Sequence, residues 1–339
     1  MHETNSVTFL TIDITLMILV TVLNLLVIFI LIVKANVRKS KTIFLLSLAF
    51  ADMFVGIFVI PNAISIMYLH VKMEDFVCKL CYYGEHTMSA ASALSISVIA
   101  VDRMRAILFP LKFKSVHRGF SYLVLALVWI LALLYALRTP FVYGAVTRIS
   151  EVTDSNVTVS KTECTIMQGQ SMVHQGLIYL DFFVLFLLPS TVLVTCNVAV
   201  SIRLAAVPTI QATGRTRLLM KRRRSIRLLL AMIFLFVGCH LPLYSFQIHL
   251  LIATTDVYTE RVIMQSLLIL SWSNSLLNVL FYGSLNDDVK STLAMIIRCQ
   301  CRKRNNRVAI STIRTTRRQH QSTMAAHQQT TISTTVTSI

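Results

Sequence analysis

The chain reads as an all-α integral membrane protein, a seven-transmembrane helix bundle with a short amphipathic eighth helix. Three observations carry this expectation. Of 339 residues, 55% are hydrophobic and 14% charged, with a mean hydropathy of +0.69, whereas a soluble domain carries nearer about a quarter charged residues. Seven apolar stretches are each long enough for a hydrocarbon layer roughly 30 Å thick, which takes about 20 helical residues. Lysine and arginine crowd into alternate connecting segments.

The stretches run approximately over 10–33, 42–69, 78–108, 120–140, 174–204, 224–252 and 262–284. The first exceeds the about 7–15-residue core of a secretory signal and has no small-residue cleavage site, so it reads as span one. Pro61, Pro140, Pro189 and Pro242 fall inside or at the ends of spans, where neighbouring groups can re-satisfy the freed carbonyls. Residues 1–9 are expected to be an amino-terminal segment, 10–284 the transmembrane domain, 285–301 the amphipathic helix and a cysteine pair, and 302–339 a disordered tail. That tail lacks the apolar content to fold.

Orientation follows from the cations. The segments after spans one, three, five and seven hold 26 of the 32 Lys and Arg residues. The opposite face has Lys72, Lys79, Arg138, Arg148, Lys161 and Arg261, with nine carboxylates including Asp13, Glu74, Asp75 and Glu163. The amino terminus is therefore expected outside a plasma membrane and the carboxyl terminus in the cytoplasm. The net charge of +17 belongs to this topology and to acidic lipid headgroups, not to nucleic acid. On the outer side, Asn156-Val157-Thr158 is a glycosylation acceptor. On the inner side, Cys299 and Cys301 follow the amphipathic segment, as palmitoylated cysteines or as plain reduced thiols. Cys78 and Cys81 form a lone CxxC at the head of an apolar run, a poor zinc pattern without a second pair.

Polar residues inside spans are functional candidates, because lipid penalises them. They are Asn24, Asp52, Ser92, Asn274 and Asn278. Span three ends in Asp102-Arg103-Met104, followed by Pro110-Leu111; Trp129 lies in span four and Pro189 in span five. Span six carries Phe236 with Cys239-His240-Leu241-Pro242, and span seven ends in Asn278-Val279-Leu280-Phe281-Tyr282. This ordered set resembles the rhodopsin-like (class A) G protein-coupled receptors over nearly the whole chain. Ser273-Asn274-Ser275 resembles the galanin and somatostatin sort of neuropeptide receptor. The chain departs from the family at Met104 for the tyrosine of DRY, His240 for the toggle tryptophan and Val279 for the proline of NPxxY. It departs again at Asn197 for a tyrosine and Leu23 for a glycine, and the tryptophan of the first outer loop is missing. These changes touch the activation switch more than the fold.

The resemblance implies a set of sites. Cys78 and Cys164 would form the extracellular disulfide, with Cys81 one turn deeper as the rival partner for Cys78. Asp52, Ser92, Asn274 and Asn278, with Asn24 nearby, would hold an allosteric sodium ion; the alternative is an ion-free network with Asp52 protonated. Asp102 and Arg103 would restrain the resting state, and Phe236, His240, Pro242 and Tyr282 would belong to the switch. No acid stands at the inner end of span six, which reads Lys221-Arg222-Arg223-Arg224, so appreciable basal signalling is expected.

Glu85 and His86 in span three and Asp181 in span five should face one outer cavity, with Ser89, Tyr244, Gln247 and Trp272 as further lining. Two converging carboxylates favour a cationic ligand, since a cation offsets their repulsion; the alternative is an internal Glu85–His86 or backbone network. No catalytic constellation is present: the histidines are dispersed and neither HExxH nor a phosphate-cradling glycine loop occurs. The expected function is a non-enzymatic receptor for an extracellular peptide that activates a heterotrimeric G protein, with an amine receptor second and a seven-helix transporter or channel third. Trp272, where retinal proteins keep a lysine, argues against a light sensor. The Ser/Thr-rich tail could recruit arrestin once phosphorylated, and Thr337-Ser338-Ile339 could add a strand to a carboxyl-terminus-binding domain.

Overall fold

The structure is a computed structural model that describes residues 2–33, 40–69, 72–109, 118–152, 157–205, 213–253, 257–285, 289–292 and 294. Two compact units comprise residues 1–289 and 290–339. In the second, residues 290–292 and 294 are helical. Most of the segment expected to form the eighth helix, and all of the tail, lie outside the described residues.

Span one is a single helix, His2–Val33. It begins within the expected amino-terminal segment, and the Thr11 hydroxyl donates back to the Val7 carbonyl at 2.8 Å. Span two is composite. A helix Ser40–Phe54 gives way to a wide π-type turn Val55–Val59, a helical turn Ile60–Ile64 and a second wide turn Ser65–Leu69. The cause is Pro61, which lacks an N–H and whose ring crowds the carbonyl four residues back, at Ile57. Widening the turn around Ile57 relieves that crowding. Span five repeats the device: Ser171–Asp181, a wide turn Phe182–Leu187, then Leu188–Ala205. Here Pro189 crowds Leu185, inside the wide turn.

Span three is the helix Asp75–Leu108, span four Arg118–Ala136, span six Thr213–Ile252 and span seven Val257–Leu285. Six helices among the described residues are long and apolar enough to cross a membrane by length and composition. Span three is the seventh. It falls short of that measure because it carries Glu85, His86, Asp102, Arg103 and Arg105. At 34 residues it is nevertheless about 50 Å long, and it touches spans two, four and five, the outer hairpin and, more lightly, span six. Its buried residues are mostly small (Thr87, Ala90, Ala91, Ser92, Ala93, Ser95, Ala100), which lets neighbouring backbones approach. Its polar groups can be tolerated because the bundle, not lipid, surrounds them.

Span four shows the opposite pattern. Val128, Ala132 and Ala136 are buried at four-residue spacing, while Leu127, Ile130, Leu131 and Leu134 are exposed. On a soluble protein that face would be an aggregation liability; on a membrane helix it is the lipid surface. Gly56 of span two closes the seam with span one, since a Cβ there would strike Thr21 and lie 3.1 Å from the Met17 carbonyl oxygen. The core falls into a cluster of Leu16, Val20, Val55, Val59, Ile60, Ile64 and Trp272, and one of Ala51, Ala90, Ala91, Ala132 and Leu185.

The outer segment 141–173, read from sequence as a loop, contains an antiparallel hairpin of β1 (Tyr143–Val152) and β2 (Val157–Ile166). Its β-branched content suits strands, and Thr147 and Thr162 hydrogen-bond across it at 3.0 Å. Asn156 lies outside the described residues.

Candidate functional site

The hairpin is fastened to span three twice. Cys78 and Cys164 are joined by a disulfide with a Cα separation of 5.6 Å, and Cys81 is free. Ala145 N–H donates to Asp75 Oδ1 at 3.0 Å, and Lys79 donates to Asp75 Oδ2 at 2.6 Å. Lys79 first, and then this backbone N–H, hold the Asp75 carboxyl below the usual carboxylate range. Gly144 makes the approach possible, because a Cβ there would sit 2.7 Å from Asp75 Oδ1.

Beneath the hairpin is a cavity of about 160 Å³ whose walls include Glu85, His86, Ser89, Asp181, Tyr244, Gln247 and Trp272. All seven residues expected to line the pocket therefore meet there. The two carboxylates are not equivalent. Asp181 accepts from the Arg138 guanidinium, accepts from the Tyr135 hydroxyl at 2.5 Å and stands 3.7 Å from His86 Nε2. Arg138 is locked in turn: Nη1 donates to the Tyr135 carbonyl at 3.1 Å, and the guanidinium lies 3.8 Å from the centre of the Tyr135 ring. His86 Nδ1 donates to the Tyr82 carbonyl at 3.0 Å, which leaves Nε2 facing Asp181. Glu85 forms neither ion pair nor hydrogen bond among the described residues. The reading of two converging carboxylates is thus refined: Arg138 neutralises Asp181, and Glu85 is the one with no ion pair among the described residues.

Phe236, His240, Tyr244 and Trp272 line the cavity, and further rings pack against its wall residues. Tyr82 stacks on Tyr143 of β1 at 3.9 Å, and the Tyr143 hydroxyl meets His174 Nδ1 at 3.0 Å. Deeper, Tyr244 and Phe236 flank Phe186, and Phe236 lies 4.8 Å from His240. His240 pairs with the Ser271 hydroxyl through Nδ1 at 3.0 Å, so the residue in the tryptophan's place links spans six and seven by a polar contact. Pro242 sits within an unbroken span six. Trp272 both lines the cavity and packs into the cluster of spans one, two and seven.

Below the cavity, Asp52 is fully buried. Its Oδ1 accepts from the Ser92 and Ser275 hydroxyls, each at 3.0 Å, and its Oδ2 accepts from Asn278 Nδ2 at 2.9 Å. Asn274 is buried and lines the cavity above; the serine one position on, which sequence reasoning missed, supplies a hydroxyl to the carboxylate. Asn24 donates to the Val20 and Ser275 carbonyls, and its Oδ1 is buried with no hydrogen-bond partner among the described residues. A carboxylate and two hydroxyls are oxygen donors of the kind that hard cations take.

Another acid emerged only in three dimensions. Asp13, counted from sequence with the outer-face carboxylates, is fully buried in span one, where Tyr68 and Gln265 donate to its Oδ2 at 3.0 and 2.5 Å. A carboxylate inside an apolar span beside a Tyr and a Gln at outer span ends was the available signal. At the inner end, Arg103 donates to Asp102 at 2.7 Å, and Arg103 Nε has no partner among the described residues. The side chains of Lys221 to Arg224 and of Tyr282, and all of Cys299 and Cys301, lie outside the described residues.

A helical membrane bundle with a disulfide-pinned outer cavity, a buried carboxylate cluster and an Asp–Arg pair at its inner end defines a seven-helix receptor rather than an enzyme. The profile of the 7 transmembrane receptor (rhodopsin family) matches residues 23–282. The chain belongs to this family. It is 25% identical to the QRFP-like peptide receptor of Branchiostoma floridae, covering 78% of this chain and 70% of that one. It is 27% identical to the somatostatin receptor type 1 of Rattus norvegicus over 81% and 67% of the two chains. Identity to the adenosine receptor A2b of Homo sapiens is 30%, over 78% and 82%. The chain spans about two thirds of the length of two of these relatives.

Proposed function

We propose that this receptor binds an extracellular peptide bearing a cationic group and activates a heterotrimeric G protein at the plasma membrane, with its amino terminus outside. The single observation that carries the cationic preference is the open Glu85 carboxylate beside an Asp181 already claimed by Arg138. An unpaired carboxylate away from bulk water favours a ligand guanidinium or ammonium. The peptide class is supported by relatives named as receptors for QRFP-like peptide and somatostatin. A small amine is the second reading, favoured by the modest cavity volume of about 160 Å³.

Signalling follows from population shift. Phe236, His240 and Tyr244 all lie on span six, so a ligand touching this column can favour a conformation in which the inner end of that helix swings outward. Asp102 restrains Arg103 until then. With basic residues at the inner end of span six, basal output should exceed that of mock-transfected cells at matched surface expression. A sodium ion at Asp52, Ser92 and Ser275, near Asn24, Asn274 and Asn278, would neutralise the buried carboxylate. Arrestin binding to the phosphorylated tail, glycosylation at Asn156 and palmitoylation at Cys299 and Cys301 complete the proposal.

The test is a G protein activation screen of amidated, arginine-containing peptides and of biogenic amines on cells expressing the full chain. An active peptide whose potency collapses in Glu85→Gln supports the reading. Activity of uncharged ligands alone, unaffected by that change, contradicts it, and ion flux without G protein activation would favour a transporter.

A further inference from the structure

A second cavity, of about 270 Å³, lies towards the Arg103 end of the bundle and away from the ligand pocket. It is lined by Phe44 of span two, Val98, Val101, Asp102 and Arg105 of span three, Phe120 and Val124 of span four and Val192 of span five, with two serines. Val98, Val101 and Arg105 recur at helical spacing on one face of span three, and Phe120 and Val124 do so on span four. The walls are chiefly apolar. At one end Arg105 lies 5.4 Å from the centre of the Phe120 ring, and Phe120 and Phe109 are exposed. Among the described residues Arg105 forms no ion pair, while the nearby Asp102 is committed to Arg103.

The groove thus offers a slot with mainly apolar walls and, at its mouth, the Arg105 guanidinium, which forms no ion pair among the described residues; the one acid in the lining, Asp102, is held by Arg103. A water-soluble anion would have no use for the slot, and a neutral sterol would give the guanidinium only a hydroxyl. A phospholipid meets both ends, and the fork of an arginine matches the phosphate oxygens. A choline headgroup would bring a further positive charge towards Arg103 and Arg105, so the charge pattern selects a headgroup with net negative charge. The cation-rich side of the chain, which holds 26 of its 32 Lys and Arg residues, is also where such lipids concentrate. We propose that this groove binds one anionic phospholipid, its phosphate on Arg105 and an acyl chain along Val98, Val101 and Val124. The site is separate from the ligand pocket and does not depend on the ligand's identity.

The experiment uses the full-length protein in nanodiscs of phosphatidylcholine containing a small fraction of phosphatidylglycerol with a photoactivatable group on its acyl chain. Crosslinks are mapped by peptide mass spectrometry. Labelling should concentrate on residues 97–105 and 120–124, and unlabelled phosphatidylglycerol should compete at least fivefold better than phosphatidylcholine. Arg105→Gln should abolish that headgroup preference while leaving labelling in the slot. Val124→Trp should block labelling altogether, with Val101→Trp as the independent second block; each variant is first shown to be monodisperse with an unchanged melting temperature. Uniform labelling along lipid-facing Leu123, Leu127 and Leu131 would overturn the proposal. So would a headgroup preference that survives Arg105→Gln, or cholesterol competing as well as phosphatidylglycerol.

Discussion

Asp181 and Asp52 are both carboxylates held inside the bundle, and the protein accommodates them by different means. Asp181 is met by a full positive charge from Arg138, with Tyr135 and His86 beside it. Asp52 is met by neutral donors, the hydroxyls of Ser92 and Ser275 and the amide of Asn278. A guanidinium consumes the charge of its partner; hydroxyls and amides merely solvate it. Asp181 is therefore a structural element of the outer cavity, whereas the Ser92, Ser275 and Asn278 groups that meet Asp52 are neutral donors. Glu85 has neither treatment among the described residues.

The comparison can be broken most forcefully at Arg138. Arg138→Gln strands a mostly buried carboxylate, and losing one member of such a pair costs about 3–5 kcal/mol. Thermal melting of the purified receptor should fall accordingly. The double variant Arg138→Gln/Asp181→Asn should recover most of the loss, and additive losses would show that the pair is not coupled. Smaller is the effect of sodium at Asp52. Sodium tenfold above its dissociation constant should stabilise the fold by about 1.4 kcal/mol relative to a bulky organic cation. Asp52→Asn should remove that difference; a melting temperature indifferent to sodium in the wild-type protein would make the cluster an ion-free network.

A third buried acid sharpens the contrast at lower cost. Asp13→Asn keeps the shape beside Tyr68 and Gln265 but replaces one acceptor oxygen by a donor, so melting should report a loss on the order of 1 kcal/mol. Least of all is the exposed Asp75. Its carboxyl titrates below the ordinary range because Lys79 and the Ala145 N–H favour the ionised form. Its contribution is therefore present above the unfolded-state value and lost as pH falls through the folded one. Hydrogen exchange at Ala145 should quicken on that descent and should already be fast in Asp75→Asn.

How much of this was legible follows from range along the chain. Spans one, two, four, five, six and seven declare themselves by apolar length, and the asymmetry of Lys and Arg orients them. Span three was marked as an apolar stretch too, but it is weaker as a hydropathy signal because a helix surrounded by other helices can carry Glu85, Asp102 and Arg103. The convergence of Glu85, Asp181, Tyr244 and Gln247 was readable because helical depth can be counted from Arg103 and Pro189. Ser275 was missed because neighbouring helical positions differ by only about 100° of rotation, and the motif drew attention to Asn274. Arg138 was missed for a different reason. It lies 43 residues from Asp181 and looked like a topological cation at a span end, and only packing shows which carboxylate it reaches. The hairpin had a signal in the Val and Thr alternation of 157–162 that length and position as a connecting loop obscured.

The central claim is that Glu85, and not Asp181, receives the ligand's positive charge. Agonist potency should be compared for a cationic ligand on Glu85→Gln and on the charge-balanced double variant Arg138→Gln/Asp181→Asn, at equal surface expression. The account predicts a loss on the order of a hundredfold for the first, since a desolvated charge contact is worth about 2–5 kcal/mol, and less than about fivefold for the second. Equal potency in Glu85→Gln and wild type, with collapse in the double variant, would contradict it.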